Sequence, residues 1–152
     1  NVRTEMDDLT SQHRWLDALN AYARYGKLGY EIEPEDKLRI GRSQLELGNF
    51  DQALELLLPL KGKYKTSADL HYQIGRSYLG LKQTNEGIES IRQSITVDPD
   101  YIPPRVLLAR YYMGLGKIDD ALMEMEAVSH LDIIEEYLFR EYHAFMDTLR
   151  KF

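Results

Sequence analysis

The chain has 152 residues, enough for one domain with a continuous hydrophobic core. Its net charge is −6, which argues against nucleic acid as the partner, because proteins that bind phosphates are usually basic. The absence of cysteine excludes disulfides, thiolate metal sites and a cysteine nucleophile.

No apolar run approaches the roughly 20 residues that a membrane-spanning helix needs. No signal peptide is visible, and the chain begins with asparagine rather than methionine. We therefore expect an excised or processed fragment from which flanking domains are missing. The composition leaves the compartment open, with the cytoplasm favoured.

Residues 1–33 predict a single helix. Residues 1–8 are polar and are expected to fray. The helix then runs from about Leu9 to Tyr25, as an N-terminal cap or a degenerate half repeat, and Gly26 and Gly29 end it.

Residues 34–67 predict a pair of helices. Pro34 opens the first helix, a favoured position for proline. Gly48 and Asn49 make the turn, and the second helix begins near Asp51. Pro59 is expected to kink or end that helix, because proline lacks a backbone donor and clashes with the preceding turn.

Residues 68–101 predict the central pair. Thr66-x-x-Asp69 resembles a capping box at its start. The second helix carries Gly87 where the neighbouring pairs carry alanine, so Gly87→Ala is expected to raise stability. That helix should stop at Asp98, since the next residue is a proline.

Residues 102–135 predict a third pair, and residues 136–152 a final helix. Pro103 and Pro104 fit a helix start, Leu115-Gly116 a turn, and the second helix runs from Asp119 to about Leu131. Stacked helical pairs leave the last apolar face uncovered, so the final helix is expected to cap it.

Small and apolar residues recur every 34 residues through these three pairs. The sets are Gly41, Gly75 and Ala109; Ile40, Ile74 and Leu108; Leu47, Leu81 and Leu115; Ala53, Gly87 and Ala121; and Leu57, Ile91 and Met125. A fixed period without insertion indicates an internal repeat.

The period and its residues resemble the tetratricopeptide repeat. Ile74-Gly75-x2-Tyr78 stands for the L-G-x2-Y part of that motif, and Gly87, Ile91 and Pro99 take the later positions. The resemblance covers residues 34–135. It implies an all-α, right-handed solenoid of three helix–turn–helix repeats between an N-terminal helix and a C-terminal capping helix.

No motif for catalysis or for a cofactor is present. The histidines are His13, His71, His130 and His143, and none has metal-site spacing. His71 occupies the place where the family often has tryptophan, so a packing role is expected. We find no nucleophile–base pair and no phosphate loop, so neither an enzyme nor a bound cofactor or metal is expected.

The resemblance implies that the first helices of the repeats line a concave groove. Arg42, Arg76 and Arg110 directly follow the small residue of each repeat and are again 34 residues apart. They pair with acids of adjacent helices, such as Glu46, or they bind carboxylates of a partner. Arg76, as the central one, is expected to contribute most. The predicted groove residues are Arg39, Arg42, Tyr72, Arg76, Leu79, Val106, Arg110 and Met113.

The leading interpretation is a protein–protein interaction module that binds a partner peptide, acidic segments included, in this groove. One alternative is a regulatory or targeting domain of a larger enzyme or of a secretion or assembly machine. Another is a structural homo-oligomer formed through the terminal helices. A monomer or weak homodimer is expected.

Overall fold

The computed structural model describes residues 2–128, 143–144, 147–148 and 150–151. Residues 2–128 form eight α-helices and one 3-10 turn. They are α1 (Val2–Ser11), α2 (Trp15–Lys27), α3 (Pro34–Glu46), α4 (Phe50–Leu57), the turn Leu58–Leu60, α5 (Ala68–Gly80), α6 (Thr84–Val97), α7 (Ile102–Gly114) and α8 (Ile118–Glu126). Helix α8 ends at Glu126, before the predicted end near Leu131, so that prediction is wrong. Most of the predicted capping helix over 136–152 lies outside the described residues.

Helices α3 to α8 form three antiparallel pairs, and two of the buried clusters continue into the first helix of the next pair. Successive helices pack against one another along the chain, and α3 also contacts α5 directly. This is the all-α solenoid that the repeat period predicts.

The helix ends follow the local chemistry. Pro34 is in the first turn of α3, where Glu33 and Asp36 complete a capping box. Helix α4 ends at Leu57 and tightens into the 3-10 turn that contains Pro59, as expected for proline. The cap of α5 differs from the prediction by one residue. Ser67, not Thr66, is the N-cap, and its Oγ accepts a hydrogen bond from the Leu70 N–H at 3.1 Å.

The turn inside each pair repeats the same backbone geometry. Gly48, Lys82 and Gly116 have φ angles of 82°, 65° and 75° and are 34 residues apart. Glycine enters this left-handed region without steric cost, whereas Lys82 carries a side chain there. The central pair therefore tolerates a strained turn residue at the place where its neighbours use glycine.

A small residue of the first helix faces a large residue of the second in every pair. A Cβ on Gly41 would lie 2.6 Å from Leu57 Cδ2, and a Cβ on Gly75 would lie 2.7 Å from Ile91 Cδ1. In the third pair Ala109 and Met125 are both fully buried in one cluster. These contacts explain why the period of 34 carries both the small and the large residues.

The single N-terminal helix predicted from the sequence is wrong, because the region forms two helices. His13 has a left-handed φ of 57°, which ends the first helix without a glycine or proline. The polar start is not frayed: Met6 is fully buried, and it packs with Val2 and Leu9, which share its face of α1.

Polar contacts tie this first pair to α3. The guanidinium of Arg39 donates to Asp7 Oδ1 at 2.7 Å, and the hydroxyl of Tyr22 donates to the buried Asp36 carboxylate at 3.1 Å. The first pair is thus an integral layer of the solenoid.

The burial of Met6 gives a test of that layer. Met6→Ala should lower the free energy of unfolding by about 2–5 kcal/mol, because it leaves a cavity in a closed cluster. Leu28→Ala is the matched control, since Leu28 is 77% exposed; it should stay within about 0.5 kcal/mol of wild type. Chemical denaturation measures both changes. Equal effects would show that α1 adds nothing to the core.

The glycine contacts reverse the expectation for Gly87. A Cβ there would lie 2.7 Å from Leu79 Cγ and 3.1 Å from the carbonyl oxygen of Gly75. Gly87→Ala and Gly75→Ala should each lower stability by about 1–3 kcal/mol through overpacking. Gly26→Ala is the control, because nothing lies within 4 Å of its Cβ position in α2; it should raise stability by up to about 1 kcal/mol. Thermal unfolding of the three variants measures these changes in stability. A Gly87→Ala variant as stable as Gly26→Ala would contradict the predicted overpacking at Gly87.

Candidate functional site

A cavity of about 780 Å³ crosses the solenoid from the first helical pair to the start of α7. We call it the groove. Its walls come from the α1–α2 turn, α2, α3, α5, the α6–α7 loop and α7. The lining residues are His13, Trp15, Arg42, Glu46, Asp69, Tyr72, Gln73, Arg76, Asp98, Asp100, Tyr101, Ile102 and Pro103. No other described cavity of this volume draws on as many elements; a cleft of about 770 Å³ is lined only by α1, α2 and their turn.

Arg42 and two aromatic rings form one end of the groove. The guanidinium of Arg42 lies over the indole of Trp15, 5.3 Å from the ring centroid. His13 stacks on the same indole at 5.2 Å with an interplanar angle of 14°. The Arg42 residue is exposed, and it forms no ion pair within residues 2–128. Its planar donors are therefore held in place by Trp15 yet open to a partner.

Arg76 lies in the middle of the groove and is already paired. Its Nη1 donates to Glu46 Oε1 at 2.7 Å and to Gln73 Oε1 at 3.1 Å, and its guanidinium lies 5.5 Å from the ring centroid of Tyr72. Burial alone would lower the pKa of Arg76, but the hydrogen bond and charge of Glu46 outweigh it and raise the pKa above its ordinary value. The sequence left two interpretations open for Arg76. The structure shows the first of them, an ion pair with an acid of an adjacent helix.

The three periodic arginines differ because their neighbours are not periodic. Glu46 lies 30 residues before Arg76. The equivalent positions before Arg42 and Arg110 hold Gln12 and Gly80, which carry no charge. The central arginine therefore meets a carboxylate at a position where the other two repeats carry an uncharged residue.

The other end of the groove is acidic and aromatic. Asp69 Oδ1 accepts hydrogen bonds from the hydroxyl of Tyr101 at 2.9 Å and from Gln73 Nε2 at 3.1 Å. Burial and the neighbouring Asp69 charge raise the pKa of Tyr101, so the phenol stays a donor. Its ring meets Tyr72 edge-on at 6.0 Å. Asp98 and Asp100 follow on the exposed loop before α7, where Asp98 Oδ1 accepts from the Asp100 N–H at 3.1 Å.

The groove as a whole carries more negative than positive charge. Two arginines face four carboxylates among the lining residues. The folded chain therefore does not present a uniformly positive groove.

The structure brings together three of the predicted groove residues, Arg42, Tyr72 and Arg76. The others lie elsewhere. Arg39 joins α3 to α1 through Asp7, and Leu79 packs beside Gly87 in the core between α5 and α6. Val106 and Met113 pack against the buried cluster of the third pair, and the exposed Arg110 is not part of the groove wall.

Several groove residues were missed because they belong to turns and loops. His13 and the segment from Asp98 to Pro103 stand outside the repeat positions, so the period says nothing about them. Trp15 lies ahead of the first predicted repeat, so the period says nothing about it either. One signal in the sequence could have indicated Trp15, which is the only tryptophan of the chain.

The remaining candidates for chemistry have structural roles or lie outside the described residues. His71 is buried, and its Nε2 is 2.9 Å from the carbonyl oxygen of Lys65, which confirms the packing role. No group of three metal-ligating side chains occurs in the described part of the chain. None of the described helices is both long and apolar enough to cross a membrane. His130 lies outside the described residues.

Comparison with known families agrees with the repeat. Two models described as tetratricopeptide repeat match adjacent segments, residues 37–67 and residues 68–101. The second match has the boundaries of the central predicted repeat. No curated protein matches the chain by sequence.

Solved structures share the fold at low sequence identity. MamA from Desulfovibrio magneticus RS-1, solved from residue 41 to its end, is 19% identical with a TM-score of 0.70, covering 89% of this chain and 76% of that one. A thermophilic tetratricopeptide repeat protein from Thermus thermophilus is 22% identical with a TM-score of 0.69, covering 87% and 73%. The C-terminal part of a tetratricopeptide repeat-containing protein from Cytophaga hutchinsonii is 16% identical with a TM-score of 0.71, covering 93% and 55%.

Tetratricopeptide repeat proteins bind other proteins and generally serve as scaffolds rather than as enzymes. The repeat period, the matched segments and the solenoid of helical pairs agree with one another. Residues 37–101 match the tetratricopeptide repeat, and this repeat supports a role as a protein–protein interaction module.

Proposed function

We propose that the chain holds a segment of a partner protein in the groove, with an acidic side chain or a C-terminal carboxylate against Arg42. The observation that carries the proposal is the groove itself, which joins four helical layers around Arg42, Trp15 and Tyr72. A cavity of about 780 Å³ has room for several residues of an extended peptide.

Arg42 is the residue that recognises the carboxylate. A guanidinium offers two parallel donors to a carboxylate, and stacking on Trp15 reduces the entropy that it loses on binding. Arg76 supports the groove instead, since its Nη1 already donates to Glu46 and Gln73. This reverses the order expected from sequence, in which Arg76 was the main contact.

Aromatic rings supply the rest of the binding surface. Trp15 and Tyr72 are half-buried, and so is Tyr101 at the far wall. Such side chains present large apolar faces with few rotatable bonds, which suits an interaction surface. Apolar residues of the partner would pack here beside the acidic one.

The proposal predicts that charge reversal at Arg42 weakens binding. The probe is a peptide selected on the wild-type chain from a displayed random-peptide library. Arg42→Glu should reduce its affinity by about tenfold or more, because an attraction becomes a repulsion. Lys37→Glu is the matched control, as an exposed residue on the same helix outside the groove wall.

Calorimetric titration at two salt concentrations measures both variants. Binding to wild type should weaken with salt, since salt screens exposed charges. Emission from Trp15, the only tryptophan, should change as the peptide binds. Equal affinities of Arg42→Glu and Lys37→Glu in folded protein, with unchanged emission, would move the binding surface away from the groove.

Arg76 gives a contrasting prediction. Arg76→Met removes the partner of Glu46, whose side chain is 23% exposed, so it should lower the free energy of unfolding by about 1–2 kcal/mol. Glu46→Gln in the same background should restore part of that loss, because it removes the unpaired charge. Thermal unfolding of the single and double variants measures this coupling. A fully stable Arg76→Met variant would mean that the pair does not support the groove.

A further inference from the structure

The two charged side chains that α5 contributes to the groove already have partners. On α5, Arg76 is paired with Glu46, and Asp69 accepts from Tyr101 and Gln73. Arg42 remains at one end, and Asp98 and Asp100 remain at the other; none of these three forms an ion pair within residues 2–128. The available charge of the groove is thus positive at the α3 end and negative at the α7 end.

We infer that the groove accepts its partner segment in one direction, with an acidic residue at Arg42 and a lysine or arginine at Asp98 and Asp100. This inference rests on the proposed function and adds the second contact. A segment in the reverse direction would place like charges together at both ends, which is costly where the charges approach closely. A wholly acidic segment would meet Asp98 and Asp100, and a wholly basic one would meet Arg42.

The fold also limits the spacing of the two charges. Helix α5 lies between the helix that carries Arg42 and the loop that carries Asp98 and Asp100. Packed helices are about 8–10 Å apart, and an extended peptide advances about 3.3 Å per residue. The acidic and basic residues of the partner should therefore be at least about three residues apart. The residues between them face Tyr72 and Tyr101, so apolar or aromatic types are favoured there.

The experiment uses the full chain and a displayed library of random decapeptides. The strongest binder is synthesised in its selected order and with its charged residues exchanged. Both peptides are titrated into wild type and into Asp98→Asn/Asp100→Asn. Asparagine at 98 keeps an oxygen that can accept from the residue 100 N–H. The control, Asp51→Asn/Glu55→Gln, changes the net charge equally on the exposed face of α4.

The expected library consensus has an acidic and a basic residue in one fixed order. The exchanged peptide should bind wild type at least about tenfold more weakly. Asp98→Asn/Asp100→Asn should bind the selected peptide about fivefold more weakly, whereas the control should bind it as wild type does.

The other possible outcomes show which of the two proposals fails. Two outcomes would overturn the proposed direction of the partner segment but not binding in the groove. One is binding that depends on Arg42 but not on Asp98 and Asp100, and the other is equal binding of the exchanged peptide. Binding that responds to neither end would overturn both proposals. Recovery of no groove-dependent peptide would also count against both.

Discussion

The close approach of the two helices within each pair is the constraint on which the rest of the structure depends. A small residue of the first helix lies directly under a large residue of the second, as Gly75 lies under Ile91. The residue after the small one is rotated by about 100° on the helix, which turns it away from the partner helix. Arg42 and Arg76 occupy that position and reach the groove. The same contact that closes the core therefore directs both arginines to the groove.

Packing overrides helix propensity at these contacts. Glycine inside a helix is unfavourable compared with alanine, yet the central pair uses it on both helices, at Gly75 and Gly87. Their backbones approach so closely that a Cβ on Gly75 would lie 3.0 Å from the carbonyl oxygen of Gly87. The neighbouring pairs use alanine at Ala53, Ala109 and Ala121, all fully buried. Helix propensity and packing therefore predict opposite signs for Gly87→Ala, because propensity ignores the facing helix.

The sequence predicts most of the solenoid and little of the groove. The repeat and its prolines place the starts of α3, α4 and α7 and the end of α6 within a residue or two, because core contacts repeat with the backbone. It misses the break at His13, where a left-handed residue ends α1 without glycine or proline. It also misses Asp98, Asp100 and Tyr101, since a loop residue reaches the groove through the path of the chain and not through a helical face.

A periodic scaffold thus builds an aperiodic site. Arg42 and Arg76 are equivalent by backbone position, but one stacks on Trp15 and the other pairs with Glu46. The difference comes from single positions at which the repeats diverge, such as Glu46 against Gln12 and Gly80. Buried residues shared by the repeats maintain the stacking. Under the proposed function, specificity resides in the surroundings that differ between repeats, such as Trp15 beside Arg42 at one end of the groove and Asp98 and Asp100 at the other.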